Sequence, residues 1–200
     1  MRAEPLAKLV LATRNDHKLR ELGEILSGVE LIPLPPEVEL PPEDADTFQG
    51  NALGKARAAR DATGQAAIAD DSGIAATALG GRPGGRSARY AGPDATDEEN
   101  LQLLLDELDD EQDRSVAYVC AMAYCAPGGE EVLVEARCTG TFARDPRGSG
   151  GFGYDPAFVP DDTGPGDERT MAELGPDEKH AISHRGRAAR ALASALRDRR

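Results

Sequence analysis

The chain has 200 residues, 40% of them hydrophobic, which suits one globular domain or two small lobes that share a sheet. Its net charge of −13 disfavours a nucleic-acid polymer as a partner, because such binding depends on neutralising phosphates, but it leaves room for a small anionic substrate. No apolar run approaches the roughly 18 residues of a membrane span, and residues 1–5 show no start of a secretory signal. We therefore expect a cytoplasmic protein with no membrane partner.

The first third of the chain predicts a strand, a helix, an extended connector and a second helix. Residues 8–13 are apolar enough to form a buried strand. Helical spacing of four apolar residues predicts a first helix with a stop at Gly28: Leu19, Leu22, Ile25 and Leu26. Residues 32–42 contain five prolines and predict an extended connector. Thr47 is a good N-cap for an alanine-rich helix that stops at Gly64.

The remaining elements favour a mixed sheet. Residues 66–69 predict a short buried strand, and a capping box of Thr96 and Glu99 starts a further helix. Residues 116–126 and 131–141 predict two strands of a hairpin, joined at a Pro-Gly-Gly turn. A hairpin that follows alternating strands and helices favours an α/β protein with a mixed sheet over a purely parallel, doubly wound one.

The strongest chemical signal is Asp70-Asp71-Ser72-Gly73, which we place at the end of the buried strand 66–69. Carboxylates at such a position can hold a hard divalent cation, and Mg²⁺ takes few carboxylates together with phosphate oxygens and water. A third carboxylate could come from Glu43 or Asp44. The alternative is an ordinary turn, which the tetrapeptide taken alone favours, because Asp, Ser and Gly are all turn formers.

A second candidate is the polar segment between the first strand and the first helix, Thr13-Arg14-Asn15-Asp16-His17-Lys18. Backbone N–H groups at the start of the helix, together with Lys18, would form a phosphate cradle. The segment is not a Walker A loop, which requires G-x-x-x-x-G-K-[ST]. A capped helix start with exposed polar side chains explains the same residues equally well.

Residues 148–153 match the pattern G-x-G-x-x-G, but we reject a dinucleotide-binding fingerprint. That fingerprint must open a helix, and the Tyr154-Asp155-Pro156 that follows is a poor helix start. We predict instead a glycine loop that presents Phe152 and Tyr154. These two rings either stack on a base or pack in the core, and the sequence favours neither.

A basic cluster lies near the start of the last predicted helix: Lys179, His180, Ser183, His184 and Arg185. These side chains could bind phosphate or the polar edge of a base. Taken alone, the cluster is better explained as solvated charge on a helix surface, which is the usual role of such residues.

The order of these motifs resembles the Ham1-like family of inosine and xanthosine triphosphate pyrophosphatases. The resemblance extends over residues 9–192. It rests on an opening block with Lys18 and Glu21, a second block with Asn51 and Lys55, and five further segments: 69–73, 78–84, 87–92, 151–156 and 183–186. Together they point to the family far more specifically than any one motif does.

The resemblance implies a single domain over residues 1–200, with a mixed twisted sheet flanked by helices and two lobes with a nucleotide cleft between them. It implies hydrolysis of dITP, ITP and XTP to the monophosphate and pyrophosphate, with Mg²⁺, in a homodimer. Asp71 would be the proton acceptor and a metal ligand, and Glu43 a second ligand. Nucleotide contacts would come from Thr13, Arg14, Asn15, Asp16, His17, Lys18, Ser72, Phe152, Gly153, Tyr154, Asp155, Lys179, His184 and Arg185.

Two positions depart from the family pattern. Arg14 replaces the usual glycine of the first loop, and we expect it to add positive charge near phosphate. Gly50 replaces the usual glutamate three residues after Thr47, which removes a capping-box partner. Two other functions fit much of the same sequence: a Maf-like pyrophosphatase for pyrimidine nucleotides, and a protein that binds nucleotides without hydrolysing them. The blocks at 151–156 and 183–186 favour the purine enzyme, and the Asp70-Asp71 pair favours hydrolysis.

Overall fold

The computed structural model describes residues 6–26 and 28–198. Residues 1–5, over which we predict the absence of a secretory signal, lie outside the described residues. Within the described ranges, no helix has the length and apolar character needed to cross a membrane.

The described residues form one six-stranded sheet with five α-helices. In chain order the elements are β1 (Leu6–Leu11), α1 (Asp16–Ile25), β2 (Val29–Pro33), α2 (Phe48–Thr63), β3 (Ala67–Ala76), α3 (Asp97–Glu107), β4 (Ser115–Cys125), β5 (Glu131–Phe142), β6 (Phe158–Pro160), α4 (Pro176–Ile182) and α5 (His184–Arg197). The strand order is β2-β1-β3-β4-β5-β6. β1 runs parallel to β2 and β3, whereas β5 and β6 are antiparallel, so the predicted mixed α/β sheet is confirmed.

The predicted helix boundaries are confirmed where a side chain caps the backbone. Thr47 accepts a hydrogen bond from the Gly50 amide at the start of α2, and this helix ends at Gly64. Thr96 and Glu99 form the expected capping box of α3. Caps need only a few consecutive residues, which is why the sequence locates these ends well.

Three predictions about the elements need correction. The strand predicted to end before Asp70 continues through Asp70-Asp71-Ser72-Gly73 as β3, because Ile74 and Ala76 extend the buried apolar run and the carboxylates are paired. The connector predicted from residue 32 contains the end of a parallel strand, β2. The basic cluster is divided, since Lys179 and His180 lie in the separate short helix α4 and only His184 and Arg185 open α5.

The chain divides into two compact units, as the predicted two lobes require. The first comprises the described residues of Met1–Asp71, Cys120–Glu135 and Arg185–Arg200, and the second comprises Ser72–Val119 and Ala136–His184. The core of the first unit is rich in small side chains, including Ala52, Ala56 and Ala59 of α2 together with Ala67, Ala69, Ala121 and Ala123. The core of the second is rich in aromatic rings: Tyr118, Phe142, Tyr154 and Phe158.

Candidate active site

In the first unit, β3 places two consecutive carboxylates in a buried strand. Asp70 is 0% exposed and Asp71 is 5% exposed. Successive residues of a strand point to opposite faces, so the two carboxylates have different neighbours. β1 pairs in parallel with β3 at Leu11 and Ile68, and the segment after β1 therefore runs beside the strand that carries Asp70.

Asp70 is the centre of a buried ion-pair network. Its Oδ2 lies 3.0 Å from the Lys18 Nζ and 3.3 Å from the Arg185 Nε. Burial alone would raise the pKa of Asp70, but Lys18 and Arg185 hold that pKa far below its usual value. Among the described residues its Oδ1 has no hydrogen-bond partner, although it is buried. The side chain is therefore an ionised carboxylate with one acceptor still open.

Arg185 links this network to helix α1. Its NH1 donates to the Oε2 of Glu21 at 2.6 Å, while its Nε donates to Asp70. Arg185 is 2% exposed, and the two carboxylates raise its pKa against the effect of burial. The geometry places Arg185 in the ion-pair network of Asp70, and its predicted contacts with phosphate or a base edge stay predictions.

Asp71 is oriented from helix α2. The Nδ2 of Asn51 donates to the Oδ2 of Asp71 at 2.8 Å, and the Oδ1 of Asp71 lies 3.8 Å from the Lys55 Nζ. Burial raises the pKa of Asp71 above its usual value, and the lowering by Lys55 does not cancel this effect. A carboxylate that is oriented and more basic than usual suits the predicted role of proton acceptor.

Lys55 is a buried cation between two carboxylates. It is 5% exposed, and its Nζ forms both a hydrogen bond and an ion pair with the Oε1 of Glu43. Burial would lower the pKa of Lys55, but the carboxylates of Asp70, Glu43 and Asp71 raise it. Lys55 in turn keeps the pKa of Glu43 low despite burial. Both predicted metal ligands therefore converge on one position of positive charge.

The donor set at this position fits Mg²⁺. Glu43 and Asp71 supply hard carboxylate oxygens, and Mg²⁺ commonly uses only one or two carboxylates with substrate phosphates and water. The described part of the chain contains no group of three or more His, Cys, Asp or Glu residues arranged to hold a metal ion. Asp44, the other predicted source of a third carboxylate, is exposed. Glu43 and Asp71 thus stay the predicted pair of metal ligands.

The segment after β1 is organised by its own side chains. The Oδ1 of Asn15 accepts hydrogen bonds from the amides of His17 and Lys18, at 2.9 and 3.2 Å, so Asn15 caps α1. Thr13 is buried, and its hydroxyl accepts from the Asn15 amide at 3.2 Å. Asp16 and His17 are exposed. The capped-helix interpretation accounts for these contacts, and the phosphate cradle stays a prediction.

Arg14 binds the proline-rich connector. Its NH1 donates to the carbonyl of Leu34 at 2.8 Å, and its NH2 donates to the carbonyls of Pro35 and Val38 at 2.6 and 2.9 Å. A further bond reaches the carbonyl of Pro36 at 3.3 Å. The guanidinium therefore anchors the chain between β2 and α2, a contact that the sequence does not predict. The predicted contact with phosphate stays a prediction.

The departure at Gly50 has a packing reason. A Cβ at this position would lie 2.8 Å from the Ala45 Cβ and 3.3 Å from the Thr47 Oγ1. A larger side chain would therefore displace the residues that lead from Glu43 into α2. The chain keeps the Thr47 cap through the Gly50 amide and does without the second half of a capping box.

In the second unit, Asp155 gathers the residues of the glycine loop and helix α4. Its Oδ2 accepts from the Phe152 amide at 2.9 Å and from the Lys179 Nζ at 2.8 Å, and its Oδ1 accepts from the Tyr118 hydroxyl at 3.1 Å. Asp155 and Lys179 are both buried. The Lys179 Nζ also lies 5.4 Å from the centroid of the Phe152 ring, within the range of a cation–π contact.

Gly151 allows this arrangement because it has no side chain. Its φ is +71°, a conformation that favours glycine, and a Cβ there would lie 2.1 Å from the Asp155 Oδ2. The Asp155 carboxylate can therefore reach the Phe152 amide only past a glycine. The G-x-G-x-x-G segment thus forms a loop around the Asp155 carboxylate, in agreement with our rejection of a dinucleotide fingerprint.

The aromatic side chains of this unit have different surroundings. Tyr154 is 5% exposed, and its hydroxyl donates to the carbonyl of Ser87 at 2.7 Å, so the core-packing alternative describes its ring. Phe152 is half-buried beside Lys179. The ring of His184 stacks on Tyr118 with centroids 4.5 Å apart and an angle of 14° between the planes. Contacts of these residues with a nucleotide stay predictions.

The structure thus distributes the predicted site residues over both units. The first unit holds Thr13, Arg14, Asn15, Asp16, His17, Lys18, Glu43, Asp71 and Arg185, whereas the second holds Ser72, Phe152, Gly153, Tyr154, Asp155, Lys179 and His184. Within the first unit, Glu43 and Asp71 meet at Lys55, and Lys18 and Arg185 meet at Asp70. Within the second, Phe152 and Lys179 meet at Asp155.

Three residues of this network are missing from the predicted site, Glu21, Asn51 and Lys55, whereas Asp70 was predicted only as a carboxylate beside a cation. A signal for two of them was present in α2. Asn51 and Lys55 lie four residues apart on the same helical face as Ala52, Ala56 and Ala59, so the alanine stripe that predicts a buried face also carries an amide and an ammonium. A buried Lys needs a carboxylate partner, and this face therefore indicates an acidic site.

Comparison with known proteins gives concordant matches. A sequence model of the Ham1 family matches residues 9–195. The dITP/XTP pyrophosphatase of Mycobacterium tuberculosis (strain H37Rv) is 50% identical over 201 residues, which cover 96% of each chain. The dITP/XTP pyrophosphatase of Geobacter sulfurreducens is 46% identical over 192 residues, which cover 92% of this chain and 93% of its own.

Solved structures agree with the sequence matches. The structure of a HAM1 protein from Coxiella burnetii has a TM-score of 0.84 and 41% identity, covering 96% of this chain and 100% of the other. A nucleoside-triphosphatase / dITP/XTP pyrophosphatase from Mycobacterium abscessus has a TM-score of 0.73 and 50% identity, covering 92% of this chain and 98% of its own. These structures confirm the predicted fold class.

Proposed function

Since this chain belongs to the Ham1 family, we propose that it is a dITP/XTP pyrophosphatase, which hydrolyses dITP, ITP and XTP to the nucleoside monophosphate and pyrophosphate. The observation that carries the proposal is the arrangement at Asp71. This buried carboxylate is oriented by Asn51, has a raised pKa, and shares a cationic position with Glu43.

Glu43 and Asp71 are the proposed ligands of a divalent metal ion, which we take to be Mg²⁺. When bound, such an ion neutralises phosphate charge and makes an attacking water more acidic. Asp71, which Asn51 orients, would accept the proton of that water. Lys18, which Asp70 holds in place, offsets the charge of the phosphates.

The second unit supplies further proposed nucleotide contacts. Lys179 is held by Asp155 beside the Phe152 ring, so this group offers a cation and an aromatic face. Ser72, Gly153, Tyr154, Asp155 and His184 complete the contacts that the family resemblance implies. We further propose that residues 1–200 form one Ham1-like domain, because the family model includes residues of both units. The family resemblance also leads us to propose a homodimer, in the cytoplasm.

Turnover tests the reaction directly. We expect the purified protein with Mg²⁺ to release pyrophosphate and inosine monophosphate from ITP, and to do so poorly from thymidine triphosphate. Preference for the pyrimidine would indicate the Maf-like alternative, and binding without turnover would indicate a nucleotide sensor. Release of orthophosphate instead of pyrophosphate would contradict cleavage between the α- and β-phosphates.

Selectivity between bases tests the role of Arg185. Hypoxanthine and xanthine carry a hydrogen-bond acceptor at position 6, to which Arg can donate. Adenine carries an amino group there, which cannot accept a hydrogen bond from Arg. A site built on such a donor rejects the wrong base by roughly four orders of magnitude in kcat/KM. We expect Arg185→Ala to reduce kcat/KM for ITP far more than for ATP, so that the ratio of the two narrows.

The ion pairs of Arg185 define the result that would contradict a role in base selectivity. Arg185 also pairs with Asp70 and Glu21, so its loss disturbs the phosphate side for every nucleotide. Equal proportional losses for ITP and ATP would assign Arg185 to that network alone. Arg185→Lys is the matched control, since it keeps a positive charge for the carboxylates but lacks the planar fork of donors.

Replacing Arg14 should have smaller effects, and these distinguish its role in anchoring the connector from a role in binding substrate. Arg14→Gly removes four hydrogen bonds to the connector, and we expect it to reduce stability by about 1–2 kcal/mol, since bonds that are exposed or only partly buried contribute little each. We also expect KM to rise with little change in kcat, as for lost uniform binding. Thermal unfolding and steady-state kinetics measure both. Unchanged kinetics at low salt would limit Arg14 to anchoring the connector.

A further inference from the structure

Lys55 occupies an unusual position for a helical lysine. Its side chain is 6% exposed, and its Nζ pairs with the Oε1 of Glu43 and lies 3.8 Å from the Oδ1 of Asp71. The other oxygen of Asp71 is held by Asn51 from the preceding turn of the same helix. The ammonium therefore bridges the two carboxylates that the proposed function assigns to a metal ion.

The charges of this arrangement have a physical consequence. Two carboxylates that face one buried position repel each other, and the Lys55 ammonium removes this repulsion. A divalent cation would need the same oxygens, and its charge would repel an ammonium a few ångströms away. The ammonium and the metal ion are therefore alternatives at the Glu43 oxygen.

We propose that Lys55 is a built-in counter-ion that competes with the divalent cation for Glu43 and Asp71, and so sets the affinity of the metal site. The inference rests on the proposed function, because it takes these carboxylates as the ligands. The Lys55 ammonium stabilises the protein without metal and withdraws from the Glu43 oxygen when the ion binds. Metal binding and the Lys55–Glu43 ion pair thus oppose each other, with equal effects in both directions.

The test is Lys55→Met, with Mn²⁺ as the probe in the absence of nucleotide. We expect the metal-free variant to unfold about 10 °C below the wild type, since it leaves the buried Asp71 and the half-buried Glu43 without their cation. We expect its Kd for Mn²⁺, from electron paramagnetic resonance of the free ion, to fall by about tenfold or more, since the ammonium that pairs with both proposed ligands no longer opposes the metal. Lys55→Gln, which keeps an amide donor for Glu43, should show the same tightening if Lys55→Met fails to fold.

The matched control is Arg57→Met, which removes a positive charge from the same helix. Arg57 is exposed and pairs with Glu131, at 2.6 Å between its NH2 and the Oε2. Its loss should leave the Kd for Mn²⁺ unchanged within about twofold, because exposed charges are screened. A similar tightening in this control would reduce the Lys55 effect to overall charge and overturn the inference.

Glu43→Gln separates the inference from the proposed function. If this change leaves Mn²⁺ binding unaltered, or if the wild type binds no Mn²⁺, the proposed metal site is wrong and the inference falls with it. If Glu43→Gln weakens binding while both Lys55 variants leave the affinity unchanged or weaken it, the metal site stands and the inference alone is overturned.

Discussion

The Asp71→Asn enzyme is expected to lose activity by about a hundredfold or more, because it lacks both the proton acceptor and one charge of the proposed metal site. The asparagine keeps the size of the side chain and can still accept the hydrogen bond from Asn51. The loss should appear in kcat, measured as pyrophosphate release from ITP at saturating Mg²⁺.

The same variant should be no less stable than the wild type at neutral pH. Folding raises the pKa of Asp71, so the folded protein favours the protonated form, and the ionised carboxylate opposes folding once the pH exceeds that pKa. The neutral amide of the Asp71→Asn variant avoids this cost. Chemical denaturation at pH 7 without metal measures it. Near-wild-type turnover would contradict the role of Asp71. A large loss of stability would attribute the lower activity to unfolding instead of to the missing carboxylate.

Asp70→Asn is expected to reduce stability strongly. It removes a fully buried carboxylate that faces Lys18 and Arg185, and breaking a buried ion pair from one side typically costs about 3–5 kcal/mol. For a chain of this size the midpoint of thermal unfolding should fall by about 10 °C. Activity should fall as well, because Lys18 loses the partner that positions it.

The stability difference between wild type and Asp70→Asn should depend on pH in a defined direction. The pKa of Asp70 is far below its usual value in the folded state, so the stability that it contributes is complete above a pH of about 4. That contribution is lost as the pH falls from there towards the folded pKa. The difference between wild type and Asp70→Asn should therefore be constant from about pH 5 to 8 and shrink below about pH 4. A difference that shrinks near neutrality would assign the effect to another group.

The sequence locates features that depend on neighbouring residues and misses those that depend on distant ones. The Thr47 cap and the Thr96–Glu99 box each involve residues three apart, and both are confirmed. The pairing of Arg185 with Asp70 joins residues 115 positions apart, and no local pattern contains it. The family resemblance includes the segments that contain these two residues, but it does not predict their contact.

The acidic tetrapeptide shows why the remaining errors occur. Local propensity favours a turn at Asp70-Asp71-Ser72-Gly73, whereas the structure keeps it in strand β3. The strand persists because Lys18 and Arg185 from α1 and α5, and Asn51 and Lys55 from α2, compensate carboxylates that would otherwise seek water. Tertiary contacts of this kind override propensity, and sites are where they concentrate.

The alanine face of α2 has a mechanical consequence. Ala52, Ala56 and Ala59 are fully buried, and an alanine has no side-chain torsion through which a misfit could relax. Where the helix packs through these methyl groups, no rotamer change can absorb a displacement, so the contact fixes its distance and rotation relative to the first unit's core. Asn51 and Lys55 project from that same face. The smallest side chains of the molecule therefore set the positional tolerance of the amide and the ammonium that hold its central carboxylate.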